Sequence, residues 1–291
     1  GLDGMENRVV EYLDRVVREL EGVLPVIEKL GGVRAVVVFG SAVRPEDFVP
    51  GVSDVDVLVI ASRPGKRYCR FEILGSEVNV KIATAEEVRA LFELGDPLAF
   101  MLYKSSRVLR DDGVFESIFR APRVTEHTSK VLRTSIFAAL GLALEAYFWS
   151  EFRRALSHAC HSLRHLARYE ASLREVSADE FPIWDREVIE ALAGFPREVF
   201  IKVVSLRKRG SSRGECAVAL DETMRAIALE LSLKAPGLSE VERAAHGRVT
   251  TILAREADGT LALRMELETP EGFKRLEVGK GYVREIESLL A

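Results

Sequence analysis

Apolar positions in the first thirty residues recur at three- and four-residue intervals, at Val9, Leu13, Val16, Leu20, Leu24 and Ile27. That spacing gathers side chains on one face of an α-helix. It predicts an amphipathic helix over residues 5–30, stopped at Gly31-Gly32, with Pro25 as a point of kinking. The period then changes. Ala35-Val36-Val37-Val38-Phe39 and the run from Val55 to Ile60 are short, continuous and β-branched, as expected of strands buried on both faces. Tyr68 to Leu74 and Val78 to Ala83 read as two further strands joined through Gly75-Ser76. Thr84 with Glu87 three residues on is a capping-box signature, so a helix is expected through Val88, Leu91 and Phe92 to Gly95. After Pro97 come a short helix, an edge strand at Arg107-Val108-Leu109-Arg110 and a turn at Asp111-Asp112-Gly113.

From there to about Lys234 nearly every segment has a helical period, with turn signals at Phe181-Pro182, Gly194-Phe195-Pro196 and a loop from Arg207 to Gly214. The tail returns to strand-like runs, Val249 to Ala254, Leu261 to Leu267 and Phe273 to Val278. Asp258-Gly259 and Pro270-Glu271-Gly272 serve as turns, and a closing helix is expected over Val283 to Leu290. The fold class is therefore α+β: a mixed-sheet domain over residues 1–121, a helical bundle over 122–236 and a small β-rich tail over 237–291. The longest apolar stretch, Val131 to Trp149, carries Arg133 and Glu145. Such charges are costly inside a bilayer, so a buried helix is expected and no membrane partner.

Composition narrows the function classes. With 47% hydrophobic and 30% charged residues the chain is expected to be globular, and a net charge of -4 argues against coating nucleic acid by bulk electrostatics. Cys69, Cys160 and Cys216 are far apart and lack metal-ligand spacing, which predicts free thiols in a reducing compartment. No secretory signal pattern opens the sequence, and a cytoplasmic location is the expectation.

The chemistry concentrates where the first strand ends in Phe39-Gly40-Ser41 and the next begins Ser53-Asp54-Val55-Asp56-Val57. Side chains alternate along a strand, so Asp54 and Asp56 project on one side while Val55 and Val57 enter the core. Two carboxylates so placed repel, and a hard divalent cation between them, completed by substrate phosphates, relieves the repulsion. Glycine before Ser41 lets a phosphate approach the backbone, and N–H groups at the start of a helix there can hold a triphosphate.

This order, a hydrophobic strand ending in Gly-Ser followed by Asp-x-Asp on the next strand, resembles the nucleotidyltransferase domain of the DNA polymerase β superfamily, in particular its minimal and antibiotic nucleotidyltransferases. The motif covers Val36 to Ile60, and the order of elements extends it to about residue 120. The resemblance implies that Asp54 and Asp56 ligate Mg²⁺ or Mn²⁺ and that Gly40 and Ser41 hold the phosphates of a nucleoside triphosphate, ATP by default. The implied reaction is in-line attack of an acceptor hydroxyl on the α-phosphate, with pyrophosphate leaving. The family's third carboxylate falls here in Val78-Asn79-Val80. Asn79 can coordinate through its carbonyl or hydrogen-bond the nucleotide, but it is no carboxylate base. Glu77, on the same face, is the candidate to replace it, with Glu72 behind.

Residues 153–168 place His158, His161 and His165 with Arg153, Arg154, Arg164 and Arg168 on one helix. This resembles the HEPN helical domains that follow many minimal nucleotidyltransferases, some of them ribonucleases with an Arg, four to six residues, then His. Arg153 with His158 and Arg154 with His161 both satisfy the spacing; the alternative is a solvent-facing or cleft-lining polar face. Arg207-Lys208-Arg209-Gly210 is read as a solvated surface loop, with phosphate gripping as its functional alternative. Three acceptors follow: a small hydroxyl-bearing molecule, a protein side chain and, third, an RNA 3′ end. A nucleotide-binding or interaction module without transfer activity, and a ribonuclease acting through Arg153 and His158, are the competing readings. The tail is read as a cap, a substrate contact, or a pairing surface in a homodimer.

Overall fold

The structure, a computed structural model, describes residues 2–29 and 31–291; Leu30, the last residue of the expected first helix, lies outside them. The chain forms two compact units, one of residues up to Val131 together with Ala171–Asp185, the other of Leu132–Glu170 together with Arg186–Ala291.

In the first unit α1 (Leu2–Glu28) contains Pro25 and is followed by β1 (Val33–Phe39), β2 (Val55–Ala61), β3 (Tyr68–Ile73) and β4 (Ser76–Ala83). Then come α2 (Ala85–Leu94), α3 (Pro97–Lys104), β5 (Ser106–Asp111) and α4 (Val114–Ile118). The five strands lie in the order β3-β4-β2-β1-β5. Only the β2–β4 pair is parallel; the β1–β2, β1–β5 and β3–β4 pairs are antiparallel. Alternation sorts the side chains. Val36, Val38, Val55, Val57, Val59, Val78 and Val80 pack with Leu13, Val16 and Leu20 of α1. Val37, Phe39, Leu58 and Ile60 pack on the other face with Val88 and Phe92 of α2, Ala99 and Leu102 of α3 and Phe115 of α4. The capping box predicted from Thr84 and Glu87 is formed, and α2 ends at Gly95.

The second unit is built on α5 (Glu126–Phe148) and α6 (Phe152–Leu173), with α7 (Asp185–Ala191), α8 (Gly194–Arg209), α9 (Arg213–Glu230) and α10 (Leu238–Ala244). It is completed by an antiparallel sheet ordered β6-β7-β8-β9, over Arg248–Ala257, Thr260–Thr269, Gly272–Gly279 and Tyr282–Glu285. By length and composition α5 would suit a membrane span, yet Leu132, Ile136, Leu140, Ala143 and Leu144 are fully buried in the folded chain. Gly141 on this helix meets β6 closely: a methyl group there would stand 2.9 Å from the Ile252 carbonyl oxygen. Arg133 forks onto the Glu256 carboxylate and donates to the Tyr169 hydroxyl, joining α5 to β6 and α6.

Two expectations change here. The closing helix over Val283 to Leu290 is absent; Tyr282–Glu285 pairs with β8 as an edge strand, because Val278 and Leu276 offer an open sheet edge that a short free helix cannot match. The supposed loop from Arg207 is the last turn of α8, which runs to Arg209, and Arg207 is buried with its Nε donating to Ser157 Oγ at 2.9 Å. Cys69, Cys160 and Cys216 form no disulfide with one another.

Candidate active site

The Gly-Ser pair does not open an α-helix. It forms a four-residue 3-10 turn, Gly40–Val43, followed by another over Pro45–Asp47. Gly40 has φ +77, a backbone shape that L side chains rarely adopt. Ser105, at the end of α3, grips it on both sides: the Gly40 N–H donates to the Ser105 carbonyl at 3.1 Å, and Ser105 Oγ donates to the Gly40 carbonyl at 3.0 Å. The Gly40 N–H is thereby used internally. In a 3-10 turn the i→i+3 bonds begin with the N–H three residues after the N-cap, here Ala42 onto Phe39, which leaves the Ser41 N–H as the early donor of this turn that could meet an anion.

Behind this turn lies a polar group the sequence reading did not single out. Arg44, 3% exposed, donates through Nε to Asp47 Oδ2 at 2.7 Å and through Nη1 to Ser105 Oγ at 2.9 Å. The same Asp47 oxygen accepts the Asp185 N–H at 3.1 Å. Burial, and next the nearby Asp185 carboxylate, raise the Asp47 pKa; the Arg44 guanidinium opposes them. The only sequence signal was an Arg and an Asp three apart in a proline-flanked loop, which reads as solvated until its burial is seen. The loop into β2 is closed locally: Val49 N–H donates to Ser53 Oγ at 2.9 Å and Ser53 N–H to the Val49 carbonyl at 2.8 Å.

The expected alternation holds. Ser53, Val55 and Val57 are buried, while Asp54 is exposed and Asp56 half-buried. Asp56 stands opposite Phe39 on β1 and opposite Asn79 on β4, so Gly40 and Asn79 flank it. A methyl group on Gly40 would lie 3.1 Å from Asp56 Oδ2. Burial pushes the Asp56 carboxyl up to about 7, with Asp54 adding to the shift; Lys81 and Arg44 pull it down and Glu77 adds a further push up. A carboxylate that crowded by another is the donor set a hard cation fits. Among the described residues no cluster of three metal-binding side chains occurs. Asp54 and Asp56 are two carboxylates that could hold a cation whose remaining positions are filled from outside the chain.

Along β4 the polar positions Glu77, Asn79 and Lys81 alternate with buried Val78, Val80 and Ile82, which puts them on the sheet face of Asp56. Asn79 is already engaged: Tyr68, on β3, donates its hydroxyl to Asn79 Oδ1 at 2.6 Å. Glu77 is paired with Arg70 of β3 at 3.0 Å. Glu72 faces Glu77 across the same pair of strands, two positions along from the Arg70–Asn79 pair. Lys81, Tyr68 and Arg70 are members of this face that the motif did not name, although the strict alternation of β3 and β4 foretells them once the register is known.

On α6 the Arg–His spacings resolve differently. Arg153 donates to the carbonyls of Arg207 at 3.2 Å and Lys208 at 2.8 Å, satisfying the C-terminal end of α8. Arg154 pairs with Glu151 at 3.1 Å. His158 and His161 stand with ring centres 6.4 Å apart, and His161 Nδ1 lies 3.4 Å from Arg164 Nη1. The Nδ1 of His165 is buried without a hydrogen-bond partner among the described residues, and burial together with Arg168 and Arg164 lowers its pKa to about 3.

Residues 20–130, within the first unit, match the family model described as a nucleotidyltransferase domain. No curated protein matches the sequence. Among solved structures, a nucleotidyltransferase-like protein from Exiguobacterium sibiricum 255-15 is similar at 11% identity over 72% of this chain and 74% of that one, with a TM-score of 0.33. That likeness is too slight to argue from.

Proposed function

We propose, on the premise that residues 20–130 carry a nucleotidyltransferase domain, that this protein moves a nucleoside monophosphate from a nucleoside triphosphate, ATP by default, to an acceptor with release of pyrophosphate. The observation that carries the reading is the Asp54–Asp56 pair on one strand face, with Gly40 against the Asp56 carboxylate. Asp54 and Asp56 would hold Mg²⁺ or Mn²⁺, which when bound supplies charge neutralisation at the phosphates. The Ser41 N–H would orient the phosphate chain, and Ser105 with Arg44 holds its turn in place.

The test is titration of each of the four nucleoside triphosphates with Mg²⁺ into wild type and Asp54→Ala/Asp56→Ala, followed by pyrophosphate release in the presence of cell extract. Metal-dependent binding and release, both lost in the double variant, are expected. Binding without release would favour a second reading, a nucleotide-binding module, to which the Tyr68–Asn79 hydrogen bond lends support by occupying the position of a carboxylate base. The HEPN resemblance of the helical region rests on its Arg–His spacing, and ribonuclease activity through Arg153 would require releasing that side chain from α8.

A further inference from the structure

Transfer to a hydroxyl needs a group that takes its proton as the bond to phosphorus forms, and that group must lie within hydrogen-bond reach. The face around Asp56 is poorly furnished for this. Asn79, in register with Asp56, has no basic atom, and its amide oxygen already accepts from Tyr68. With that oxygen engaged, the amide presents its NH₂. Glu77, the remaining carboxylate on β4, is taken by the Arg70 guanidinium at 3.0 Å. What the face does display is a set of donors and cations: the Asn79 NH₂, the exposed Lys81 ammonium and the Arg70 guanidinium. Lys81 has no hydrogen-bonded or ion-paired partner among the described residues, and the carboxyl it acts on is Asp56. Such a face suits a nucleophile that arrives already ionised.

We infer that the acceptor of this site is a phosphate monoester, whose oxyanion is received by Lys81 and the Asn79 amide and attacks the α-phosphorus without a general base. The inference rests on the nucleotidyl-transfer reading above. A phosphate monoester loses its second proton near pH 6, so it is dianionic in neutral solution. One of its oxygens forms the new bond to the α-phosphorus while the bond from that phosphorus to the oxygen bridging the β-phosphate breaks. The electron pair leaves with pyrophosphate, nothing is oxidised or reduced, and no proton leaves the nucleophile. The product is a phosphoanhydride. Lys81 serves as a point charge on the incoming phosphate, the role for which a compact ammonium is suited.

The experiment uses the full chain and the small-molecule fraction of a cell extract, divided in two, one half treated with alkaline phosphatase that is removed before nucleotide is added. Each half is offered with Mg²⁺ and each nucleoside triphosphate, and pyrophosphate release is measured beside direct binding of the nucleotide. Release at least about tenfold greater with the untreated half is expected. Lys81→Gln should raise the KM for that half about tenfold, the loss of one charge-assisted contact, a change larger than any in the Kd for Mg-nucleotide. Equal release from both halves, or none from either while nucleotide binds, overturns the acceptor assignment. Failure to bind Mg-nucleotide overturns the underlying reading instead. Asn79→Asp supplies a second check: a carboxylate there should add release from the phosphatase-treated half, and its failure to do so in a folded, nucleotide-binding variant counts against the absent base as the reason for the choice.

Discussion

Gly40 lies directly against Asp56: its left-handed backbone, φ +77, brings the turn so close that a methyl group would stand 3.1 Å from the carboxylate oxygen Oδ2. Gly40→Ala should therefore do two things at once. The backbone strain costs about 1–2 kcal/mol of stability, read by urea unfolding, and the displaced carboxylate weakens Mg-nucleotide binding beyond what the stability loss explains. Unchanged nucleotide affinity in the folded variant would separate the turn from the site.

Asp56 makes the fold pH-dependent with a defined sign. Its pKa rises from 3.8 in the unfolded chain to about 7 in the folded one, so the folded state keeps a proton that the unfolded state gives up. Stability should fall as pH rises from about 4 to about 7 and then level off. Asp56→Asn removes this loss: the variant should melt higher than wild type at about pH 8, with the gap closing near pH 4. Mg²⁺ should raise the wild-type melting temperature more above pH 7 than below it and leave Asp56→Asn nearly unmoved. A gap that is flat with pH would contradict the crowded carboxylate.

Arg44 is tested by removing its charge. Arg44→Met leaves Asp47 buried beside Asp185 without its guanidinium, and breaking a buried pair from one side costs about 3–5 kcal/mol. The double variant Arg44→Met/Asp47→Asn should recover part of the loss, a coupling that equilibrium unfolding of the four proteins measures directly.

Arg153 is predicted to be structural. Arg153→Ala removes two hydrogen bonds to the end of α8 and should cost about 1 kcal/mol, seen as a lower melting temperature with nucleotide affinity unaltered. A large loss of RNA cleavage in a variant of unchanged stability would instead favour the ribonuclease reading.

Gly141 tests the second unit. With a methyl group 2.9 Å from the Ile252 carbonyl oxygen and 3.1 Å from the Ala254 nitrogen, Gly141→Ala must push α5 off β6, at a cost of about 1–3 kcal/mol. Limited proteolysis of the β6–β9 region should accelerate in proportion.

The strands, the capping box at Thr84 and the facing of Asp54 and Asp56 were readable directly, because each depends on a local period: two for strands, 3.6 for helices. The turn after Phe39 was misread as a helix start, since a Gly-Ser pair opens either element and the 3-10 form is held by Ser105, far along the chain. The closing segment was misread for a similar reason. Val283 to Leu290 has a helical spacing of apolar residues, but β8 presents hydrogen-bonding groups that outweigh local propensity.

The sequence by itself determined which side of a strand the candidate residues face, for this follows from bonding geometry over a few residues. Only the tertiary structure decided which partners each one keeps. Asn79 shows its NH₂ because Tyr68, eleven residues away, takes its oxygen. Glu77 is paired because β3 sets Arg70 beside it. Arg44 is held inside by Asp47 and by Ser105 and Met101 far along the chain. Strand register and long-range burial set these partnerships, and neither leaves a mark in the local pattern of the chain.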